Sequence, residues 1–294
     1  MIIFEKLRNL QNLTDSEKEI ITYIFEKPEE FISSSAKQIA RTCYVSVPTI
    51  YRLCDKAEVA GLSDLKVKMS GSLNEYLSQS TGFDFDYPIK ARENHDSIAR
   101  SLSEDYAQTV KKTRALLDMS EMHKAVMALN NAGRISVFTS SGNVYLADNF
   151  RFQMQEIGID VQVPTDEYEY RLEACNCGEN DLGIIISFGG RGTLVHMAAE
   201  ILKENHARIL LITSTQENSL WPLADIKLFL CSLENHSNKI SSFSTRLSIL
   251  YVLDNLYAGL FSLNYDANIN RKLVNYDKLS KGTRAGYKAI EHKE

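Results

Sequence analysis

The 294-residue sequence predicts an all-α N-terminal domain followed by a doubly wound α/β domain with a five-stranded parallel sheet. Three observations predict it. Up to Ser80 the apolar residues recur at helical spacing, and Pro28 is the one proline before the second short helix. From Gln79 to Asp96 the chain reads QSTGFDFDYPIKARENHD, which carries Gly, Pro and Asp without a period, as a linker does. Beyond Arg134, short β-branched or apolar runs alternate with helix-length segments, the pattern of a parallel sheet covered on both faces. The expected division is 1–78, a linker at 79–96, a second domain at 97–264 and a tail at 265–294, in keeping with about 150 residues per domain.

In the first domain, Thr14 followed three residues later by Glu17 forms a capping box. It opens a helix with Ile20, Ile21, Ile24 and Phe25 inward. Ala36, Ile39, Ala40 and Cys43 then fall at i, i+3, i+4 and i+7, one helix face. After a turn through Thr42–Val45, Ser46 is placed to cap a second helix, and Pro48 is tolerated in its first turn. Ile50, Leu53, Cys54 and Ala57 repeat the spacing, so Pro48, Tyr51, Arg52, Asp55 and Lys56 face outward. Two short helices with a tight turn between them match helix-turn-helix geometry.

Charge is consistent with that geometry. Residues 1–36 hold four basic and seven acidic side chains. Residues 37–68 reverse the balance with six basic (Lys37, Arg41, Arg52, Lys56, Lys66, Lys68) and three acidic. The local surface is basic although the whole chain carries -5.

The segment resembles the N-terminal domain of RpiR/MurR-type bacterial transcriptional regulators. Four signatures carry the resemblance in order: L-T-x-S-E at 13–17, K-P-E-E at 27–30, V-S-x-x-T-I-x-R at 45–52, and G-L-S-D-L-K at 61–66. Glu58-Val59 stands where that family usually shows Gly-Phe. The resemblance implies an operator-binding domain with Ser46, Thr49, Tyr51 and Arg52 on its recognition helix. Lys37, Lys56 and Lys66 complete the expected DNA contacts.

In the second domain, strands are expected at Ile135–Thr139, Ile159–Val163, Leu182–Ser187, Ile209–Thr213 and Ile226–Leu230. Helices are expected at Asn143–Ile157, Thr193–Asn205 and Glu217–Ala224. Three of the strands end in loops rich in hydroxyls and glycine: Thr139–Asn143, Ser187–Thr193 and Thr213–Ser214. Such loops place backbone donors and helix N-termini where open α/β sheets bind ligands, a natural anion site.

Residues 120–260 resemble the sugar-isomerase (SIS) domain, which in these regulators senses phosphosugars. The first loop of that family usually reads G-x-G-x-S, and Thr139, Ser141 and Asn143 occupy those places. The second usually reads S-x-S-G-x-T. Here Ser187 and Gly190 match, but Gly189 and Gly192 replace the second Ser and the Thr, with Thr193 one place late. The expected ligand residues are Thr139, Ser140, Ser141, Asn143, Ser187, Gly189, Gly190, Arg191, Thr193, Thr213 and Ser214. Arg191 is expected to stand in for the missing hydroxyls, since a guanidinium clamps phosphate in bidentate fashion.

The remaining features bound the function. No catalytic residue, metal or cofactor is expected. His196 with Glu200, and Glu234 with His236, show no catalytic spacing, and the Cys175-x-Cys177 pair lacks the paired C-x-x-C spacing of a zinc or redox site. The longest run without a charge, Ile135–Ala147, is thirteen residues and too short and polar to span a membrane, and no signal peptide is read at the start. A cytoplasmic protein is expected. The apolar helix Phe243–Phe261 is expected to form a homodimer or homotetramer interface unless it is core, and the tail is expected to fray. The partners are an inverted-repeat operator and a small phosphosugar. The alternative from another class is a phosphosugar isomerase with a helical appendage.

Overall fold

The computed structural model describes residues 3–8, 10–81, 85–231, 233–235 and 238–282. The N-terminal domain is six helices: α1 (Ile3–Arg8), α2 (Asp15–Glu26), α3 (Pro28–Ser33), α4 (Ala36–Thr42), α5 (Val47–Lys56) and α6 (Leu62–Thr81). The capping box opens α2 as its sequence requires, with Thr14 N donating to Glu17 Oε2 at 2.7 Å and Glu17 N donating to Thr14 Oγ1 at 3.3 Å. A second box, Ser35 with Gln38, opens α4. Ile20, Ile24, Phe31, Ile39, Ile50, Leu53, Leu65 and Met69 are the fully buried centre of this bundle. The glycine usual at position 58 has a visible reason: Glu58 holds φ +52°, the left-handed region that favours glycine.

The second domain begins with α7 (His95–Leu116) and α8 (Met119–Asn131). It continues as β1 (Ile135–Phe138), α9 (Asn143–Glu156), β2 (Val161–Gln162), α10 (Glu167–Asn176) and β3 (Leu182–Ile186). Then come α11 (Thr193–Glu204), β4 (Arg208–Ser214), β5 (Ile226–Leu230), α12 (Phe243–Leu263) and α13 (Tyr265–Gly282). The sheet is all parallel in the order β2-β1-β3-β4-β5. Because strand side chains alternate, Val137, Ile184, Ile186 and Ile212 pack against α8, α9 and α12. Phe138, Ile185 and Leu211 pack against α10 and α11 on the other face.

Two expectations are corrected, one left open by the sequence is decided, and one helix is added. The helix expected at Glu217–Ala224 is only a 3₁₀ turn at Trp221–Leu223. Helix α10, for which the sequence pattern gives no expectation, carries the chain from β2 to β3. Helix α12 is core: it buries Ile249, Val252, Leu253, Leu256 and Leu260 against α7, α8 and α9. The segment expected to fray is helical over Tyr265–Gly282, and residues 283–294 lie outside the described residues.

The two domains touch through named contacts. Lys111 and Lys112 of α7 pair with Glu29 of α3 at 3.2 and 3.5 Å. Gly71 of α6 lies against Thr215, just past β4, so closely that a Cβ there would sit 2.9 Å from the Thr215 hydroxyl. The linker is stitched to the segment after β5: Asn235 N donates to Asp86 Oδ1 at 2.5 Å, Ile240 N to Asp86 O at 2.9 Å, and Tyr87 OH to Asn238 Oδ1 at 2.6 Å.

Candidate functional site

On the helical domain, α4 and α5 are joined by the turn Cys43–Ser46. Helix α5 buries Thr49, Ile50, Leu53 and Cys54 and turns Tyr51, Arg52 and Asp55 to solvent, as the spacing predicts. Ser46 occupies the N-cap position without making a cap bond; its Oγ lies 2.9 Å from Thr49 Oγ1 instead. Arg52 Nη2 donates to that same Thr49 Oγ1 at 3.1 Å. Thr49 is therefore not a surface contact. It is 3% exposed and acts as a bracket that aims Arg52 and Ser46.

Two of the lysines are also committed. Lys56 Nζ donates to the buried Glu17 carboxylate at 2.7 Å and the Asn12 carbonyl at 2.8 Å. Burial alone would raise the Glu17 pKa, but Lys56 and the Thr14 hydrogen bonds hold it below the usual carboxylate value. Lys66 Nζ donates to Ser34 O, and burial pushes its pKa below the ordinary lysine value against the pull of Asp118. Lys37, Ser46, Tyr51 and Arg52 are exposed, as are Arg41 and Tyr44. The sequence marks Arg41 only as charge and gives Tyr44 no role. The place of Tyr44 in the turn is the signal that could have found it.

In the α/β domain the three loops lie at the carboxyl ends of β1, β3 and β4, three adjacent strands. Some of the expected ligand hydroxyls belong to the scaffold. Thr139 is buried and donates to Ile186 O at 2.9 Å, tying β1 to β3. Thr213 is buried and donates to Ser187 O at 2.7 Å, and the buried Ser214 lends its Oγ to Gln216 N at 3.4 Å. Ser140, Ser141 and Arg191 are exposed, as is Thr193, and Asn143 is half-buried. Ser141 holds φ +56°.

Helices α9 and α11 begin in these loops at Asn143 and Thr193, and neither has a side-chain cap. The first-turn amides of α11 and the positive dipole ends of both helices face the loops, an arrangement that suits an anion. In α9, by contrast, the Asn143 and Val144 amides already donate to Ser140 O and Ser141 O at 3.3 and 3.2 Å. Gly190 holds φ +61°, and a Cβ there would run into Asn218 at 2.5 Å, so this turn requires glycine. The Arg191 guanidinium has no hydrogen bond or ion pair among the described residues.

The titratable groups beside the loops are structural. His196 Nε2 lies 2.8 Å from both Gly190 O and Ser219 Oγ; since the carbonyl only accepts, this nitrogen carries the proton. Glu234, 5% exposed, accepts from the backbone of Ser244 and Thr245 and so caps α12; Lys239 pairs with it at 2.9 Å. Lys239 also lies 5.7 Å from the ring of Phe188 in the second loop. His236 falls outside the described residues. Among the described residues no metal cluster is present, and no helix is long and apolar enough to cross a membrane.

A helix-turn-helix head with a basic outer face, joined to a parallel α/β domain with an anion-suited loop cluster, defines a two-domain DNA-binding protein with a small-molecule module. Residues 1–76 match the helix-turn-helix domain of the rpiR family, and residues 128–258 match the SIS domain. The chain thus has the domain order of RpiR-type regulators, an rpiR-family head followed by a SIS domain. It is similar in fold to the Vibrio vulnificus NanR protein complexed with ManNAc-6P, at 17% identity over 96% of this chain and 99% of that one, with a TM-score of 0.59. The sugar isomerase domain of the RpiR transcription factor from Sphaerobacter thermophilus matches at 15% identity over 62% of this chain and 98% of that one, TM-score 0.55. A candidate sugar-phosphate isomerase from Listeria monocytogenes matches at 15% identity over 63% of this chain and 99% of that one, TM-score 0.55.

Proposed function

We propose that this protein is a cytoplasmic regulator of sugar or amino-sugar metabolism whose operator affinity is set by a phosphosugar held in the three-loop cluster. The observation that carries the reading is that loops at the ends of adjacent strands lead into two helix N-termini without side-chain caps and carry Arg191, whose guanidinium has no partner among the described residues. A phosphate dianion needs several donors, and the backbone amides of Gly189–Gly192 with a bidentate guanidinium supply them. Ser140, Ser141 and Asn143 are then placed for the sugar hydroxyls. The ManNAc-6P complex of the NanR structure supports the ligand class.

On the DNA side, Arg52 and Tyr51 read base edges while Lys37 and Ser46 hold the backbone. The reading is non-catalytic: His196 and Glu234, the groups placed nearest to proton transfer, are spent on structure. A homo-oligomer on an inverted repeat follows from the small footprint of one head.

Calorimetry of the full chain with a panel of hexose, pentose and amino-sugar phosphates, ManNAc-6P included, tests the effector site. Wild type is expected to bind a member of the panel and Arg191→Ala to bind it at least about tenfold more weakly. Equal binding by the two proteins makes Arg191 a bystander, no binding by wild type ends the sensor reading, and turnover of a panel member replaces it with the isomerase.

A further inference from the structure

Tyr44 is the most exposed of the large hydrophobic side chains among the described residues at 96%, and it sits in a backbone conformation that disfavours it. Its φ is +54°, in the turn between α4 and α5. The turn is built without the side chain: Tyr44 N donates to Arg41 O at 3.3 Å and Val45 N to Ala40 O at 2.9 Å, while the buried Cys43 anchors it below. The ring therefore stabilises nothing in the fold, and its hydroxyl has no partner among the described residues.

Two of the other left-handed residues, Asn12 and Glu58, still hold a polar partner. The Asn12 carbonyl holds Lys56, and Glu58 pairs with Lys6 at 2.5 Å. The Tyr44 side chain has none among the described residues. A residue that costs the fold and returns nothing to it is a candidate for function. It lies between Arg41 and Ser46, on the approach to the helix that presents Tyr51 and Arg52.

We infer that Tyr44 is a DNA-backbone contact, its phenol donating to a phosphate oxygen and its ring edge resting on the adjacent deoxyribose at the rim of the groove. The inference rests on the operator-binding reading above. A stiff side chain with a single neutral donor suits that surface, and it carries no base code.

The role has an unusual signature, because stability and binding should move in opposite directions. Tyr44→Gly should raise the unfolding midpoint of the full chain by about 2 °C through relief of the left-handed strain. The same change should weaken binding to duplex DNA about five- to tenfold, and Tyr44→Phe should lose part of that through the missing hydroxyl. The probes are the tightest duplex recovered from a randomised pool and a random duplex of equal length. Both should weaken by the same factor, leaving the preference between them unchanged, whereas Arg52→Ala should erase the preference. Binding of both duplexes by Tyr44→Gly within about twofold of wild type overturns the inference, as does a loss confined to the preferred duplex. A lowered midpoint shows that the ring serves the fold and overturns it too. Failure of wild type to bind any duplex overturns the DNA-binding reading itself.

Discussion

Arg52 stands clear of the buried stripe of α5, and its guanidinium rests on the Thr49 hydroxyl. Truncation opens no cavity, so Arg52→Ala should leave the unfolding midpoint unchanged. It should remove about 1–3 kcal/mol of discrimination, the worth of one good bidentate base contact. A gel-shift series against preferred and random duplexes checks this; an unchanged preference refutes the role. A second residue tests the interior. Asp105 is fully buried between α7 and α12, with Ser244 Oγ donating to Oδ1 at 2.5 Å and Oδ2 unpartnered. Burial raises its pKa, Glu234 adds to the rise, and the Ser244 and Thr109 hydrogen bonds and Lys112 oppose it. A carboxyl whose folded pKa lies above its unfolded value favours folding in the protonated form. Its contribution is complete below about pH 4 and is lost as the pH climbs through the folded pKa. Asp105→Asn should therefore flatten the fall in stability above about pH 4, read by denaturation at a series of pH values. A profile parallel to wild type refutes the assignment.

At the scale of elements, α12 decides between core and interface. Leu253 is 1% exposed, and Leu253→Ala should cost about 2–5 kcal/mol at any protein concentration, as a core cavity does. A loss of assembly with unchanged stability would return the helix to an interface. The left-handed Glu58 offers the converse test. Its pair with Lys6 is exposed and contributes little, so Glu58→Gly should raise Tm by about 2 °C; a lower Tm would show that the ion pair outweighs the strain. The elements legible in the sequence are those whose burial writes a pattern. Leu182–Ile186 is buried at every position, and α5 repeats its apolar stripe without a break. Helix α10 is illegible because EYEYRLEACN buries only Tyr170 and Ala174. Long exposed faces likewise hide α13. At the sites, the loops are legible as loops, but not which hydroxyls they spend internally. Nothing local in the sequence tells that Thr139 and Thr213 bind carbonyls of a neighbouring strand or loop. Nor does it tell that Lys56 and Lys66 reach Glu17 and Ser34, partners distant along the chain.

For the whole molecule, one exposed apolar groove lies between α9 and α13. Phe152, Tyr276 and Leu279 line it and are 61%, 55% and 67% exposed. A second copy covering this face would account for it. Light scattering at micromolar concentration should show a dimer or a tetramer, and Phe152→Glu combined with Leu279→Glu should yield monomer; a monomeric wild type refutes the assembly.

On the proposed function, the seam between the domains would give the DNA a voice in metabolite sensing. Gly71 rests on Thr215 beside the third loop, and Asp86 and Tyr87 grip the segment that carries Lys239 to Phe188 in the second. If occupancy of the loops biases the stance of the head, coupling free energy is symmetric: whatever factor the sugar imposes on the operator, the operator imposes on the sugar. The protein seated on its operator and the protein free in solution are then two sensors with different thresholds. A sugar titration repeated with saturating duplex should return the same ratio of affinities as a duplex titration repeated with saturating sugar.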